Sequence, residues 1–443
     1  MKRRFGRTGI GMDSRTIFIV ISLALVNANG LPQPANECHY QLVESLPELM
    51  PYERPLGFEM AKTSEAWLEL IEGARNSIRI ASFYLKLLSD PVHASHPSAE
   101  PGRLVFEALE VAARERNVTV EIIVGADWSG EEELKRMREA GIDFRIFEIG
   151  KLTNGGVQHS KFIITDEENF YLGSANLDWR ALTQVKEFGI VYKHCEALAK
   201  DLLKIFDLYS LLTGQITPLA ELPPALLTNK NMDNPFTMNM DAIPTEVYLG
   251  ASPDILEGDN NNRTSDLNMI LDTISKAEKF VYISVMNYSP VFGFKSRTFW
   301  PVIDNALRAA YYERRIKVKL LVSKWAKPLR REELDWYRSL NALNSSDTRW
   351  GGIEVKLFQV PAESHFHKSI PFARIKHDKY IVTDNRVFIG TSNWAPSYFL
   401  NTSGVGISIR PSEINLAHHN IVSHTKAFFE RDYYSEYASR LNE

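Results

Sequence analysis

The chain has 443 residues, 44% of them hydrophobic, enough material for two domain-sized cores. Its formal net charge is −4 and its pI is near 6.3, which excludes a protein built to coat duplex DNA. Protonating all 11 histidines would move the charge to −4 + 11 = +7, so an acidic compartment would favour a polyanionic substrate.

Residues 1–15 carry Lys2, Arg3, Arg4, Arg7 and Arg15, an apolar run follows at 16–26, and Asn27-Ala28-Asn29-Gly30 closes the segment. This is the layout of a secretory signal peptide over residues 1–30, with a short signal anchor as the alternative. Cys38 and Cys195 are the two cysteines; in an oxidising lumen an even pair suggests one disulfide, with two free thiols as the open alternative. Sequons at Asn117, Asn262, Asn344 and Asn401 are compatible with glycosylation in that lumen. The route implied is the secretory pathway, ending in the lysosomal lumen, outside the cell, or at an N-terminal membrane anchor.

A helical pattern at 66–71 leads into a strand at 77–84, and residues 90–103 form a loop in which His93 and His96 read as solvated side chains. Helix 104–115, strand 119–124, helix 131–140 and strand 143–147 follow. After residue 248 the series repeats: helix 267–277, strand 280–288, helix 302–313, strand 318–322, helix 331–343 and strand 354–359. Between the two series lies a Pro- and Asn-rich connection, 212–248. The expectation is an α/β protein: two similar α/β/α layered domains, 38–211 and 249–443, related by internal duplication.

Each series ends in the same string. Residues 159–176 read H-S-K-F-I-I-T-D-E-E-N-F-Y-L-G-S-A-N, and residues 377–393 read H-D-K-Y-I-V-T-D-N-R-V-F-I-G-T-S-N. Both fit H-x-K-x4-D followed by G-[ST]-x-N. Strand alternation puts His159 with Lys161, and His377 with Lys379, on one face. Ser174 and Asn176, and Thr391 and Asn393, join them from the next strand. Such a set suits a phosphate: lysine supplies charge, the amide and hydroxyl supply hydrogen bonds, and histidine attacks or moves a proton. Asp166 and Asp384 complete the candidate catalytic residues, although their place at strand-end turns also suits a purely turn-forming role.

This duplication resembles the phospholipase D superfamily, whose members build one active site from two H-K-D motifs. The resemblance implies a phosphohistidine intermediate at one histidine, with the other as general acid, and no metal or other cofactor. It also implies that Glu187, in T-Q-V-K-E-F-G, orients His159, making His159 the nucleophile. Aligning Gly189 with Gly406 puts Gly404 at the matching place, so the second half lacks that acid. The flanking text L-G-S-A-N-L-D-W-R-A-L-T-Q-V-K-E-F-G and I-G-T-S-N-W is similar to the animal branch of members three and four, which includes lysosomal 5′ exonucleases. The substrate implied is single-stranded DNA or RNA, cut to nucleoside 3′-monophosphates. A phospholipid hydrolase or transphosphatidylase is the alternative, and a non-catalytic membrane-associated protein is a third reading. No nucleotide cofactor is expected, and a homodimer is compatible. Trp179 and Trp394 read as core packing behind the motifs rather than as base-stacking residues.

Overall fold

The computed structural model describes residues 37–441 except 91, 127–128, 293–297, 326–330, 345–350 and 413–419. The expected signal segment lies outside the described residues. Residues 36–443 form one compact unit.

Two sets of strands repeat one order. In the first half the order is Asp143–Ile146, Thr119–Val124, Ser77–Ser82, Phe162–Thr165, Asn169–Gly173, Glu187–Lys193 and Glu37–Ser45. The first three are mutually parallel and the rest antiparallel. In the second half the order is Gly352–Phe358, Lys317–Ser323, Phe280–Val285, Lys379–Thr383, Val387–Gly390, Gly404–Pro411 and Ile243–Ser252, with the same sense at every pairing. Parallel strands are buried on both faces, which is why Phe280–Val285, F-V-Y-I-S-V, is largely apolar and buried at every position. The two sets join where Glu37 and Cys38 pair with Asn239 and Met240, making a 17-stranded sheet. The stretch expected as a connection thus supplies strand Phe236–Met240 and the start of Ile243–Ser252.

Helices cover the sheets in matching places. Thr63–Gly73, Glu100–Arg114 and Glu131–Ala140 correspond to Asp266–Ser275, Val302–Arg314 and Arg331–Asn341. Glu196–Leu212 and Ile421–Tyr433 enter a core shared by both halves, in which the Phe188 ring lies 4.7 Å from Tyr380 and 4.5 Å from Phe428. Each half keeps a second core of its own on the other side of its sheet. The architecture is the α/β layering expected.

The glycine of G-[ST]-x-N has a steric reason. A Cβ on Gly173 would lie 2.4 Å from the Tyr171 hydroxyl and 2.7 Å from the Gly189 Cα. In the second half the Phe388 ring lies across Gly390 and Gly406 in the same way. Trp179 and Trp394 are buried in the core. A Cβ on Gly102 would come within 2.4 Å of Trp179 Cβ, so that tryptophan packs two helices together.

Cys38 and Cys195 form a disulfide with S–S 2.00 Å. Asn117, Asn262 and Asn344 are exposed, whereas Asn401 is half-buried and its Nδ2 donates to the Thr153 carbonyl at 2.8 Å. His93 is a correction to the loop reading. It is buried, with Nδ1 at 2.7 Å from Asp90 and its ring 5.9 Å from Trp179, because the loop folds onto the segment around Phe366.

Candidate active site

Each motif enters the site by crossing to the other half. Gln158 bridges Ser403 in parallel, and the His159 amide donates to the Ser403 carbonyl at 3.1 Å. Symmetrically, Lys376 bridges Lys186, and the His377 amide donates to the Lys186 carbonyl at 2.8 Å. Regular strand begins only afterwards, at Phe162 and at Lys379. Each histidine is therefore held beside the residue that follows its partner in the opposite half: Gly404 for His159 and Glu187 for His377.

This crossing overturns the expected partner of Glu187. Its carboxylate lies 2.9 and 3.0 Å from His377 Nδ1, and Ser174 Oγ donates to it at 2.5 Å. His159 Nδ1 instead lies 3.0 Å from the Thr391 carbonyl oxygen. A carbonyl only accepts, so Nδ1 carries the proton and Nε2 keeps its lone pair. The two imidazoles are thus unequal in the sense opposite to that expected, because strand pairing across the dyad decides which acid meets which ring.

Electrostatics follow the geometry. Burial, then the charges of Lys161, Lys379 and His377, hold His159 well below the ordinary histidine range, opposed only by the Thr391 carbonyl. Burial, with the Lys379 and Lys161 charges, also leaves His377 below the ordinary histidine range, but the Glu187 carboxylate opposes that fall, an opposition His159 does not receive from any carboxylate. Burial raises the Glu187 carboxyl, yet His377, Lys379 and Ser174 bring its net position below the usual range.

Lys161 donates to its own motif's His159 carbonyl, and Lys379 to the His377 carbonyl. Burial pushes Lys379 down to about 7 against Glu187 and Asp378, and burial with the Lys379 charge holds Lys161 well below its ordinary value against Glu187. A bound phosphate anion would return both to the charged form. Ser174 and Thr391 are buried and answer one another: the Phe188 amide donates to Ser174 Oγ at 3.0 Å, the Val405 amide to Thr391 Oγ1 at 2.9 Å. The Oδ1 atoms of Asn176 and Asn393 are both buried without a hydrogen-bond partner. Because an amide presents either end by a half-turn, these two groups suit a phosphate's oxygens.

Asp166 and Asp384 stand apart from this chemistry. Asp166 accepts from the Arg75, Asn76 and Ser77 amides at 2.8, 2.7 and 2.9 Å. Asp384 does the same for Glu278, Lys279 and Phe280, at 3.0, 2.9 and 3.3 Å. Each fastens its motif to the turn before the central strand of its half. These contacts are those of the turn-forming alternative.

Two aromatic rings that the sequence did not single out flank His159: Phe83 at 5.4 Å and Tyr398 at 5.1 Å between centroids. Phe83 lies within the predicted strand 77–84 and just past the observed strand Ser77–Ser82, so its position was visible but its neighbour was not. Among the described residues no group of three or more His, Cys, Asp or Glu is placed to hold a metal ion.

The comparisons with known proteins agree with this layout. A family described as "PLD3/4, PLD-like domain" matches residues 57–363. The 5'-3' exonuclease PLD3 of Xenopus laevis is 40% identical over 414 residues, covering 92% of this chain and 82% of that protein. The 5'-3' exonuclease PLD3 of Homo sapiens is 38% identical, covering 95% and 84%. The 5'-3' exonuclease PLD4 of Mus musculus is 36% identical, covering 93% and 81%. Among solved structures, a phosphatidylserine synthase of Haemophilus influenzae superposes with a TM-score of 0.55 at 12% identity, over 85% of both chains, a likeness of fold. With the duplicated site and these relatives in agreement, the chain belongs to the PLD3/4 family of phospholipase D-like proteins.

Proposed function

We propose that this chain is a 5′ exonuclease that degrades single-stranded DNA or RNA from a free 5′-hydroxyl end. The observation that carries the chemistry is the unequal pair of imidazoles, one neutral on a carbonyl and one on a carboxylate. The nucleic-acid substrate rests on the activity named for relatives that match over most of their length.

In the first step His159 Nε2 attacks the phosphorus linking the first and second nucleotides. The P–O bond to the 5′-oxygen of the remaining strand breaks, and His377 gives that oxygen its proton. Lys161, Lys379, Asn176 and Asn393 stabilise the charge on the phosphorus oxygens. In the second step His377, now neutral, takes a proton from water, hydroxide replaces His159 on phosphorus, and a nucleoside 3′-monophosphate leaves. The shortened strand again begins with a 5′-hydroxyl. Two lysines supply the positive charge, so activity is expected to survive chelation. The requirement for one neutral and one protonated imidazole gives a bell-shaped pH profile on the acid side, suited to a lysosomal lumen reached through the secretory pathway.

Product analysis tests this reading. We expect 3′-monophosphates from 5′-hydroxyl oligonucleotides, slower cutting of 5′-phosphorylated ones, and no cutting of circular single strands. Formation of 5′-monophosphates, equal attack on circles, or headgroup release from phospholipid vesicles at pH 5 without nuclease activity would overturn it.

A further inference from the structure

The second half lacks a carboxylate at position 404, where the first has Glu187, yet the space is occupied. A Cβ built on Gly404 would lie 2.0 Å from Ser392 Oγ, 2.7 Å from Asp266 Oδ2 and 2.9 Å from Ser252 Oγ. Any side chain there would collide with this trio. Ser392 Oγ donates to Asp266 Oδ2 at 2.7 Å, and Asp266 Oδ1 is buried without a hydrogen-bond partner. An acid has thus arrived from helix Asp266–Ser275 at the place that the matching strand leaves vacant.

The trio reaches the active site through one peptide group. The carbonyl that holds His159 Nδ1 belongs to Thr391, and its peptide partner nitrogen belongs to Ser392. The side chain of Ser392 is fixed by Asp266, and Asn393 follows immediately. We propose that Asp266, acting through Ser392, is the positioning acid of His159, as Glu187 is directly of His377. Asp266 touches neither substrate nor imidazole. It sets the orientation and the electron density of the carbonyl on which the nucleophile's tautomer depends.

The groups facing Asp266 are Ser252 from the neighbouring strand, Asp254 from the turn after it, Ser392, and Tyr209 from helix Glu196–Leu212. None of these is a cation. Burial pushes the Asp266 carboxyl up to about 6, with Ser392 and Ser252 opposing and Asp254 adding to the rise. Burial thus displaces the two groups in opposite senses, Asp266 upward and His159 downward.

This inference rests on the proposed role of His159, and its deciding test does not use substrate. In protein labelled with 15N at histidine, with the His159 signal assigned by its loss in H159A, the nitrogen shifts should step with a midpoint near pH 6. The step should vanish in D266N, and it should shrink severalfold in S392A, which keeps the acid and cuts the link. A step that persists unchanged in D266N would come from His377 and would overturn the proposal, as would its absence from the wild-type chain. Should D266N fail to fold, S392A decides alone: an unchanged step overturns the idea. S392A should also lower kcat about tenfold with KM unchanged. Failure to cut nucleic acid would refute the nuclease reading and leave the nitrogen titration intact.

Discussion

The two halves repeat one strand order, yet the segments that deliver their histidines rest on different chemistry. Behind His377, Lys376 donates to Asp378 at 2.5 Å and to Asp432 at 2.7 Å. Lys186 reaches Glu44 at 3.0 Å, Arg431 clasps Glu44 through two bonds of 2.8 and 2.7 Å, and the Tyr52 hydroxyl donates to Asp432 at 2.6 Å. Three cations meet three carboxylates in a buried network. The matching residues behind His159 are uncharged. Gln158 stands where Lys376 does and has both amide atoms buried without partners; Ser160 stands where Asp378 does and pairs with the Tyr209 hydroxyl at 2.8 Å. A duplicated site can split its labour by changing what lies beneath each copy. The ionic support holds the strand that carries Glu187, while the residues behind His159 bring it no carboxylate, which suits the neutral ring of the proposed nucleophile.

Removing either ring should break this comparison most severely. H159A and H377A are each expected to lose at least about 10⁴-fold in kcat on oligonucleotides, because attacker and proton donor act together. A p-nitrophenyl phosphodiester needs no proton on its leaving group. H377A should therefore release a burst of nitrophenol from it, and H159A should not. A burst from H159A alone would reverse the two roles.

E187Q should come next, lowering kcat by about 10³-fold, since an amide can present its NH2 to Nδ1 and impose the wrong tautomer. Measuring kcat and KM separately checks this, with KM expected to change little. Equal effects on the acid and alkaline limbs of the profile would show that Glu187 does not govern the protonation of His377.

The outcome for Glu187 shows what the sequence could and could not reveal. The duplication, the alternation of helices and strands along each half and the two H-K-N sets were legible because each is local and occurs twice. The turn-holding role of Asp166 and Asp384 was legible as an alternative, from their place at strand ends. The partner of Glu187 was not, because it depends on Lys186 pairing with Lys376, 190 residues on, across the dyad. Within one half, Glu187 and His159 are the natural pair. Asp266 left no trace at all: an acid at a helix start is ordinary, and only the crowding above Gly404 gives it meaning.

The ionic network can be broken at its centre. Lys376 is fully buried between two carboxylates, which draw its ammonium above the ordinary range against the penalty of burial. K376M should destabilise the protein by about 3–5 kcal/mol, because it leaves Asp378 and Asp432 buried with less compensating charge. Q158A, at the matching place, should cost well under half as much, since it removes an amide that already has no partner. Chemical denaturation of both variants at pH 5 checks the contrast. Equal losses would mean that the two supports do not differ in energy as they do in chemistry.

The smallest effect concerns the acid beneath His159. Burial raises Asp266 from 3.8 to about 6, so its protonated form is the one the fold prefers. The stabilisation relative to the ionised acid is fully present below about pH 4 and is lost as pH rises through 6. With a tenfold change in proton affinity worth about 1.4 kcal/mol, the whole effect is about 3 kcal/mol, and about half of it falls between pH 5 and 7.5. Buried histidines act oppositely, since a lowered histidine contributes stability that is lost on acidification, so the wild-type trend mixes both signs. The difference between D266N and wild type isolates the carboxyl. D266N should gain about 1.5 kcal/mol relative to wild type on moving from pH 5 to 7.5. Parallel unfolding curves for the two proteins across that range would show that Asp266 ionises as freely in the fold as in the unfolded chain, and that the buried trio at Gly404 admits water.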